Sequence, residues 1–474
     1  MNNILLTGIL SSLLYLSSYG QTVNSPNNSA IFYSQSFQAY NYSNPDSALY
    51  YARLLAANSN YTSFLEDLLH NAFPQVFQKM WERRITDSLE KAGLKKRVEM
   101  SHLILKGMMA DTNQNLVNCA TPIYYWTQIQ QNENNIKNLI ELTNKFMTSQ
   151  LSSNDIYQNR IGRYALLIYQ VISQKKELNK LATRLFATTT SKLKLNQVTV
   201  NVDTASREIL EKRTWYRFLY AYCNYIEATK LIEQGNKEGA RNYFKTAFDY
   251  SPDLTDNNNL RAYFYDMTFL LEKEIRGFQD EYLEYLKNSG SGKSKILSTL
   301  LTMALVNPMY KEKLRSYYDT NFPNQEPFVN FWQNSISKNL KNASDFSLPK
   351  IDGTIFSTTK NKGKWILIDY WGTWCNPCRA EHPDLQTFYK QLSTKDTSAF
   401  TLLTIACQDK ESSVTSYLSQ FNYSFPVAMA DNKIEAMYNV KHYPTKILIT
   451  PQRKYLIIPN GIDWVDFIKK YADL

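Results

Sequence analysis

The chain has 474 residues, too many for one hydrophobic core at the usual domain size, so at least two domains are expected. Hydrophobic residues make up 43% and charged residues 20%, which excludes wholesale disorder, and the net charge of +10 gathers into no basic stripe or module that would mark a nucleic-acid partner. With only 14 Gly and 15 Pro as punctuation, long helices are favoured over a many-turned β architecture, whereas the 34 Tyr serve cores, interfaces and grooves alike and discriminate nothing.

The first 20 residues, MNNILLTGILSSLLYLSSYG, are apolar and end in small residues, the pattern of a cleaved export signal with Gln21 as the first mature residue. They depart from it in one respect, since no Lys or Arg precedes Arg53. No Cys follows until Cys119, which argues against a lipid anchor, and no later stretch reaches the roughly 18 uncharged apolar residues of a membrane span. A soluble periplasmic or cell-envelope protein is expected. Residues 21–44 are polar and rich in Asn and Ser, and they read as a poorly ordered lead-in.

From 45 to 340 the pattern is helix after helix. Pro45 and Asp46 stand at helix-start positions, and Ala48, Tyr51, Ala52 and Leu55 share a face. In GNKEGARNYFKTAFDYSP, Gly235, Ala240, Phe244, Ala247 and Pro252 are spaced as in the second half of a tetratricopeptide repeat, with Ala228 and Leu231 fitting the helix before it. The region around 220–252 thus resembles one such repeat, with a faint echo at Ala48 and Ala52. An α-helical domain of repeat-like hairpins is expected, with a protein partner as its natural ligand. SGSGKS at 289–294 suggests a phosphate loop but lacks the required Gly, having Lys287 in its place, and follows a helical pattern; it reads as a helix–helix connection.

After Asn342 the texture changes to short β-rich runs, KWILIDYW, TLLTIAC, PVAMA and TKILIT, separated by helical patterns. That alternation predicts an α/β domain over 341–474. The chain has five Cys, too few to staple a fold of this size and odd in number, and two of them form a CxxC. The strand ending at Tyr370 runs through Trp371 and Trp374 into Cys375-Asn376-Pro377-Cys378, which opens a helix. A helix N-terminus favours thiolate, so Cys375 is the expected nucleophile and Cys378, one turn inside, the resolving thiol. The competing reading is half of a zinc site, but no second Cys or His pair stands at ligand spacing, and no metal is expected. Cys407, at the end of TLLTIAC, reads by default as a buried strand thiol, with a third redox thiol as the alternative; Cys119 and Cys223 read equally as free and buried or as paired with each other, and His442 reads as a loop residue near the site.

These residues resemble the thioredoxin superfamily, and within it the TlpA/ResA-like envelope thiol-disulfide oxidoreductases. Asp345-Phe346-Ser347-Leu348 through Gly353 is similar to the family's opening, and Trp374 to Pro383 carries its WCxPCRxExP with Arg379 and Glu381. The resemblance covers about the last 130 residues. It implies that Asp369 is the buried acid assisting proton transfer at the resolving thiol, and that Tyr443-Pro444-Thr445 is the cis-Pro loop. It also implies that Trp374, Asn376, Pro377, Tyr443 and Pro444 contact substrate. Asp369 stands where the family commonly has Asn, and the Asn-Pro spacer differs from the Glu-Pro of haem-maturation members.

The expected function is an exported reductase or isomerase of protein disulfides, with no cofactor beyond the Cys375–Cys378 pair and a membrane thiol as electron donor. Neither Asn376 nor Pro377 offers a cation to the thiolate, which places the expected potential near thioredoxin's roughly −270 mV rather than the roughly −120 mV of a strong oxidase. One alternative is a partner- or peptide-binding envelope protein whose thioredoxin-like domain is accessory. A thiol peroxidase is a third reading, opposed by the absence of a Thr-x-x-Cys around Cys375.

Overall fold

The computed structural model describes residues 27–197, 205–252, 256, 261–271, 277–394, 399–431, 433–459 and 462–473. The expected export signal lies outside them. The lead-in does not hold from Asn27 onward: Asn27–Tyr40 is a helix packed on the helix Pro45–Ala56. Its buried face is Ala30, Ser34 and Phe37, at i, i+4 and i+7. Two of those residues are small and one is polar, so the stretch carries little apolar signal although its spacing is helical.

The chain forms two compact units. The first gathers Met1–Val200, Arg207–Glu227 and Arg261–Gly277. Its centre is the helix Ile161–Ile172, buried along nearly its whole length. Gly162 lets it approach the helix that carries Trp215, because a Cβ there would meet the indole at 2.8 Å. Arg163, from the middle of this core, forms a two-pronged ion pair with Asp266 (2.9 and 3.0 Å), and Trp215 Nε1 donates to the same carboxylate at 3.0 Å.

The second unit comprises Asn201–Ser206, Ala228–Leu260 and Phe278–Leu474. The change of texture near 340 is therefore a change of secondary structure inside a larger compact body. Lys237–Tyr250 packs on Gln279–Asn288 through Phe244 against Tyr285 and Phe248 against Tyr282, with Ala240 and Ala247 buried between. The SGSGKS segment connects Gln279–Asn288 to Lys293–Val306, as its composition suggests. Further on, Lys311 is buried at the start of the helix Lys311–Asn321 and donates to the carbonyls of Lys470 (3.0 Å) and Tyr471 (3.1 Å). Trp332 Nε1 donates to Tyr471 as well, so the last turn of the helix Trp464–Ala472 is capped from more than 130 residues upstream.

Among the described residues every strand lies at or beyond Lys341. They are β1 (Lys341–Asn342), β2 (Ser347–Pro349), β3 (Ile355–Ser357), β4 (Trp365–Trp371), β5 (Phe400–Ala406), β6 (Val427–Met429), β7 (Thr445–Ile449) and β8 (Lys454–Ile458). β2 and β3 form a separate hairpin, and the others make one mixed sheet in the order β1-β8-β7-β4-β5-β6. β4 is parallel to β5 and antiparallel to β7, and its residues from Ile366 to Trp371 are buried, as a central strand covered on both faces requires. Asp369 is the one acidic side chain in that run. Its register partners are Thr404 on β5 and Lys446 on β7.

Candidate active site

β4 ends at Trp371, and its continuation, Gly372-Thr373-Trp374, turns the chain into the helix Asn376–Thr394. Cys375 stands immediately before that helix, and its carbonyl accepts the first helical bond from Arg379 N–H at 3.1 Å, so it occupies the N-cap position. Cys375 and Cys378 are joined as a disulfide with Cα atoms 5.3 Å apart, and the Cys378 backbone N–H points at the Cys375 sulfur, 3.2 Å away. A thiolate at Cys375 would thus meet a backbone donor as well as the helix terminus. In the bonded form both sulfurs are buried, Cys375 being 4% exposed and Cys378 1%.

Two loops frame the pair. Tyr443-Pro444 is a cis peptide bond leading into β7. The segment 407–409, after β5, holds the CxxC approach: the Cys407 carbonyl accepts from Trp374 Nε1 (3.2 Å), and Asp409 accepts from the Thr373 N–H (2.6 Å). Gln408 donates to the Tyr443 hydroxyl, which itself donates to Glu435. Trp374 is half exposed and meets the Tyr443 ring edge-on at 5.2 Å. The indole lies over Gly372, where a Cβ would come within 2.4 Å of its nitrogen.

Behind the pair the electrostatics are concentrated on three residues. Lys446, buried on β7, lies 3.2 Å from Asp369 Oδ1 and bonds to Glu381 on the active-site helix. The ammonium also sits over the Trp464 ring, 5.1 Å from its centroid. Burial drives the Asp369 pKa up, Lys446 pulls it back and Glu381 pushes it up again, leaving it at about 6. Burial works against the Lys446 charge, but the two carboxylates outweigh it and hold that pKa above lysine's ordinary value. His382 is buried against Trp371 and bonded to Tyr417, and burial drops its pKa to about 3, so it stays neutral.

The sequence-predicted residues Asp369, Trp374, Cys375, Asn376, Pro377, Cys378, Tyr443 and Pro444 belong to this one sheet end and helix start. Asn376 bonds to Arg379, and His442 is exposed near the cis-Pro loop. Cys119, Cys223 and Cys407 are buried and take part in no disulfide. Cys119 lies 3.3 Å from His70 Nε2 in the first unit, and burial pushes the Cys407 thiol well above its ordinary pKa. Sequence reasoning missed Lys446, Asp409, Gln408 and Glu435. Lys446 alone left a signal, as a single charge inside an otherwise apolar strand. Among the described residues no cluster of His, Cys, Asp and Glu could hold a metal ion, and no helix is long and apolar enough to cross a membrane.

Comparison with known proteins gives a consistent picture of this part of the chain. Residues 340–461 match the AhpC/TSA family. The thioredoxin-like protein YneN of Bacillus subtilis is 34% identical over 107 residues, 23% of this chain, which spans a little under two thirds (62%) of YneN's own length. The thiol-disulfide oxidoreductase ResA of the same organism is 27% identical over 141 residues, covering 30% of this chain and 76% of ResA. A thiol:disulfide interchange protein of the thioredoxin family from Chlorobium tepidum is 26% identical, covers 28% of this chain and 96% of its own, and superposes with a TM-score of 0.26. The C-terminal part of this chain is thus similar in sequence to the TlpA/ResA-like thiol-disulfide oxidoreductases of the thioredoxin superfamily.

Proposed function

We propose that this protein is an exported thiol-disulfide oxidoreductase that reduces or isomerises disulfides of other proteins through Cys375 and Cys378. The carrying observation is the bonded sulfur pair at a helix start, with Cys375 at the N-cap and a backbone N–H aimed at its sulfur. In the reducing direction the Cys375 thiolate attacks one sulfur of a substrate disulfide. The substrate S–S bond breaks, a mixed disulfide forms, and one substrate thiolate leaves. Cys378 then gives its proton to the Asp369 carboxylate, and its thiolate attacks the Cys375 sulfur. The second substrate thiolate leaves as the Cys375–Cys378 bond forms. Two electrons have passed to the substrate, whose thiolates take up two protons. A membrane dithiol, oxidised in exchange, restores the reduced pair, and no other cofactor takes part.

Trp374, Asn376, Pro377, Tyr443 and Pro444 are the assigned substrate contacts, supported by the half-exposed indole and its edge-on partner Tyr443. The apolar N-terminal segment supports export, and the helical region 45–340 is assigned to a protein partner. Turbidimetric reduction of insulin by the full-length protein tests the reading. Wild type should be active, Cys375→Ser inactive, and Cys378→Ser should retain a substrate as a stable mixed disulfide. Activity indifferent to Cys375 overturns it.

A further inference from the structure

The catalytic proposal leaves a buried proton acceptor, Asp369, with no stated way of holding its charge or exchanging its proton with water. We propose that Lys446 is the positioning residue for the proton step at Cys378, its ammonium shared between Asp369 and Glu381 so that a carboxylate–ammonium–carboxylate chain ties the buried acceptor to solvent. This rests on the thiol–disulfide reading above and adds to it a residue and a route.

Three observations carry the inference. Lys446 faces Asp369 by register, as directly opposed residues of the antiparallel β4–β7 pair, so the contact follows from the sheet itself and from no chance rotamer. Exposure then rises along the chain of groups, from 2% at Asp369 and 5% at Lys446 to 33% at Glu381. Finally, Glu381 lines a cleft of about 420 Å3 between the active-site helix and the terminal helix, walled also by Asp384, Phe388 and Trp464. Cys378 and Glu381 are three apart on one helix and share a face. The bond from Glu381 to Lys446 therefore sets that face of the helix over the Lys446–Asp369 pair.

A lysine in this strand needs such a reason. β7 is buried throughout and otherwise reads Thr-Ile-Leu-Ile, and removing an ammonium from water is costly unless opposite charges face it. Here they do, on two sides. The pairing with Asp369 is incomplete, because Oδ1 has the ammonium at 3.2 Å but no well-directed hydrogen-bond donor. A carboxylate attracted by charge yet under-bonded is one that can take a proton and give it back. The other elements packed around it offer little competition: β5 presents the uncharged Thr404, and the active-site helix presents the neutral His382, with the Arg379 guanidinium bonded to Asn376. Lys446 and Glu381 act on Asp369 with opposite signs, the cation favouring the carboxylate and the anion opposing it.

That opposition gives the test. Reduced full-length protein is mixed with oxidised glutathione, and formation of the Cys375–Cys378 bond is followed across about pH 4.5 to 8.5. The Asp369 limb should lie near pH 6 in wild type. Lys446→Met should move it up by about one pH unit, a roughly tenfold loss of rate on the acid side. Glu381→Gln should move it down, and Lys446→Arg, which keeps the cation, should not move it up. Displacement in the same direction by both charge-removing variants, or by neither, overturns the inference. Should Lys446→Met fail to fold, Glu381→Gln, at a side chain one third exposed, decides alone, and an unmoved limb overturns the inference. The parent reading fails separately, in a wild type that does not exchange with glutathione at all.

Discussion

Among the described residues two ion pairs are buried on both sides, and they are built to different standards. In the first unit Arg163 and Asp266 are each 1% exposed and fully bonded, the carboxylate receiving both prongs of the guanidinium and the Trp215 indole N–H, while Arg163 also donates to the His70 carbonyl. In the second, Lys446 approaches Asp369 through one oxygen at 3.2 Å, with no well-directed hydrogen bond to that oxygen. A planar guanidinium against a carboxylate satisfies charge and lone pairs together, whereas a point-charge ammonium supplies charge and leaves geometry over. The contrast separates a pair that holds a fold together from a pair that remains able to titrate.

Removing one acid from each pair tests the difference most severely. Asp266→Ala strands a buried guanidinium and should cost about 3–5 kcal/mol in denaturant unfolding. Asp369→Asn should act in the opposite sense. The native pKa of about 6 lies above the ordinary 3.8, so between those values the native state holds a proton that the unfolded chain has released. Stability from this group therefore falls as pH rises through that window and stays low above it, by roughly 2–3 kcal/mol. Asp369→Asn should recover that amount at about pH 7.5 and nothing below about pH 4. Unfolding curves at both pH values check it, and a destabilised Asp369→Asn at neutral pH would erase the distinction drawn here.

A gentler change probes how readily the redox end gives way. Gly372→Ala places a methyl against the Trp374 indole nitrogen, which is the tip of a half-exposed side chain. The indole should swing away and lose its bond to the Cys407 carbonyl at a cost of about 1 kcal/mol. A changed tryptophan emission and a raised KM for insulin would report the move, and an unchanged KM would separate Trp374 from substrate contact.

Much of the C-terminal domain was legible because its information is local. Four buried strands announce themselves as short apolar runs, and the CxxC, Asp369 and Pro444 sit at motif spacing. β8 is the strand the reading passes over: its apolar run is only Tyr455 to Ile458, set off from β7 by the polar turn Thr450 to Arg453. Lys446 escaped for a related reason: its meaning comes from the residue opposite it in register, which spacing along the chain does not display. The helix Asn27–Tyr40 was hidden by its composition, because Ala30 and Ser34 pack by being small. The extent of the second unit was illegible for a third reason. The contacts that join Lys311 and Trp332 to residues 470–471 cross the whole domain.

That last contact bears on the order in which the protein comes into being. Chains emerge from the ribosome N-terminus first, and domains complete as units. Lys311 can desolvate its ammonium only when the carbonyls of Lys470 and Tyr471 and the Asp473 carboxylate are there to receive it. Until then the helices around it carry an unpaired charge at what will become a buried seam. The second unit therefore closes late, after synthesis has passed the helix Trp464–Ala472 that carries the carbonyls it needs.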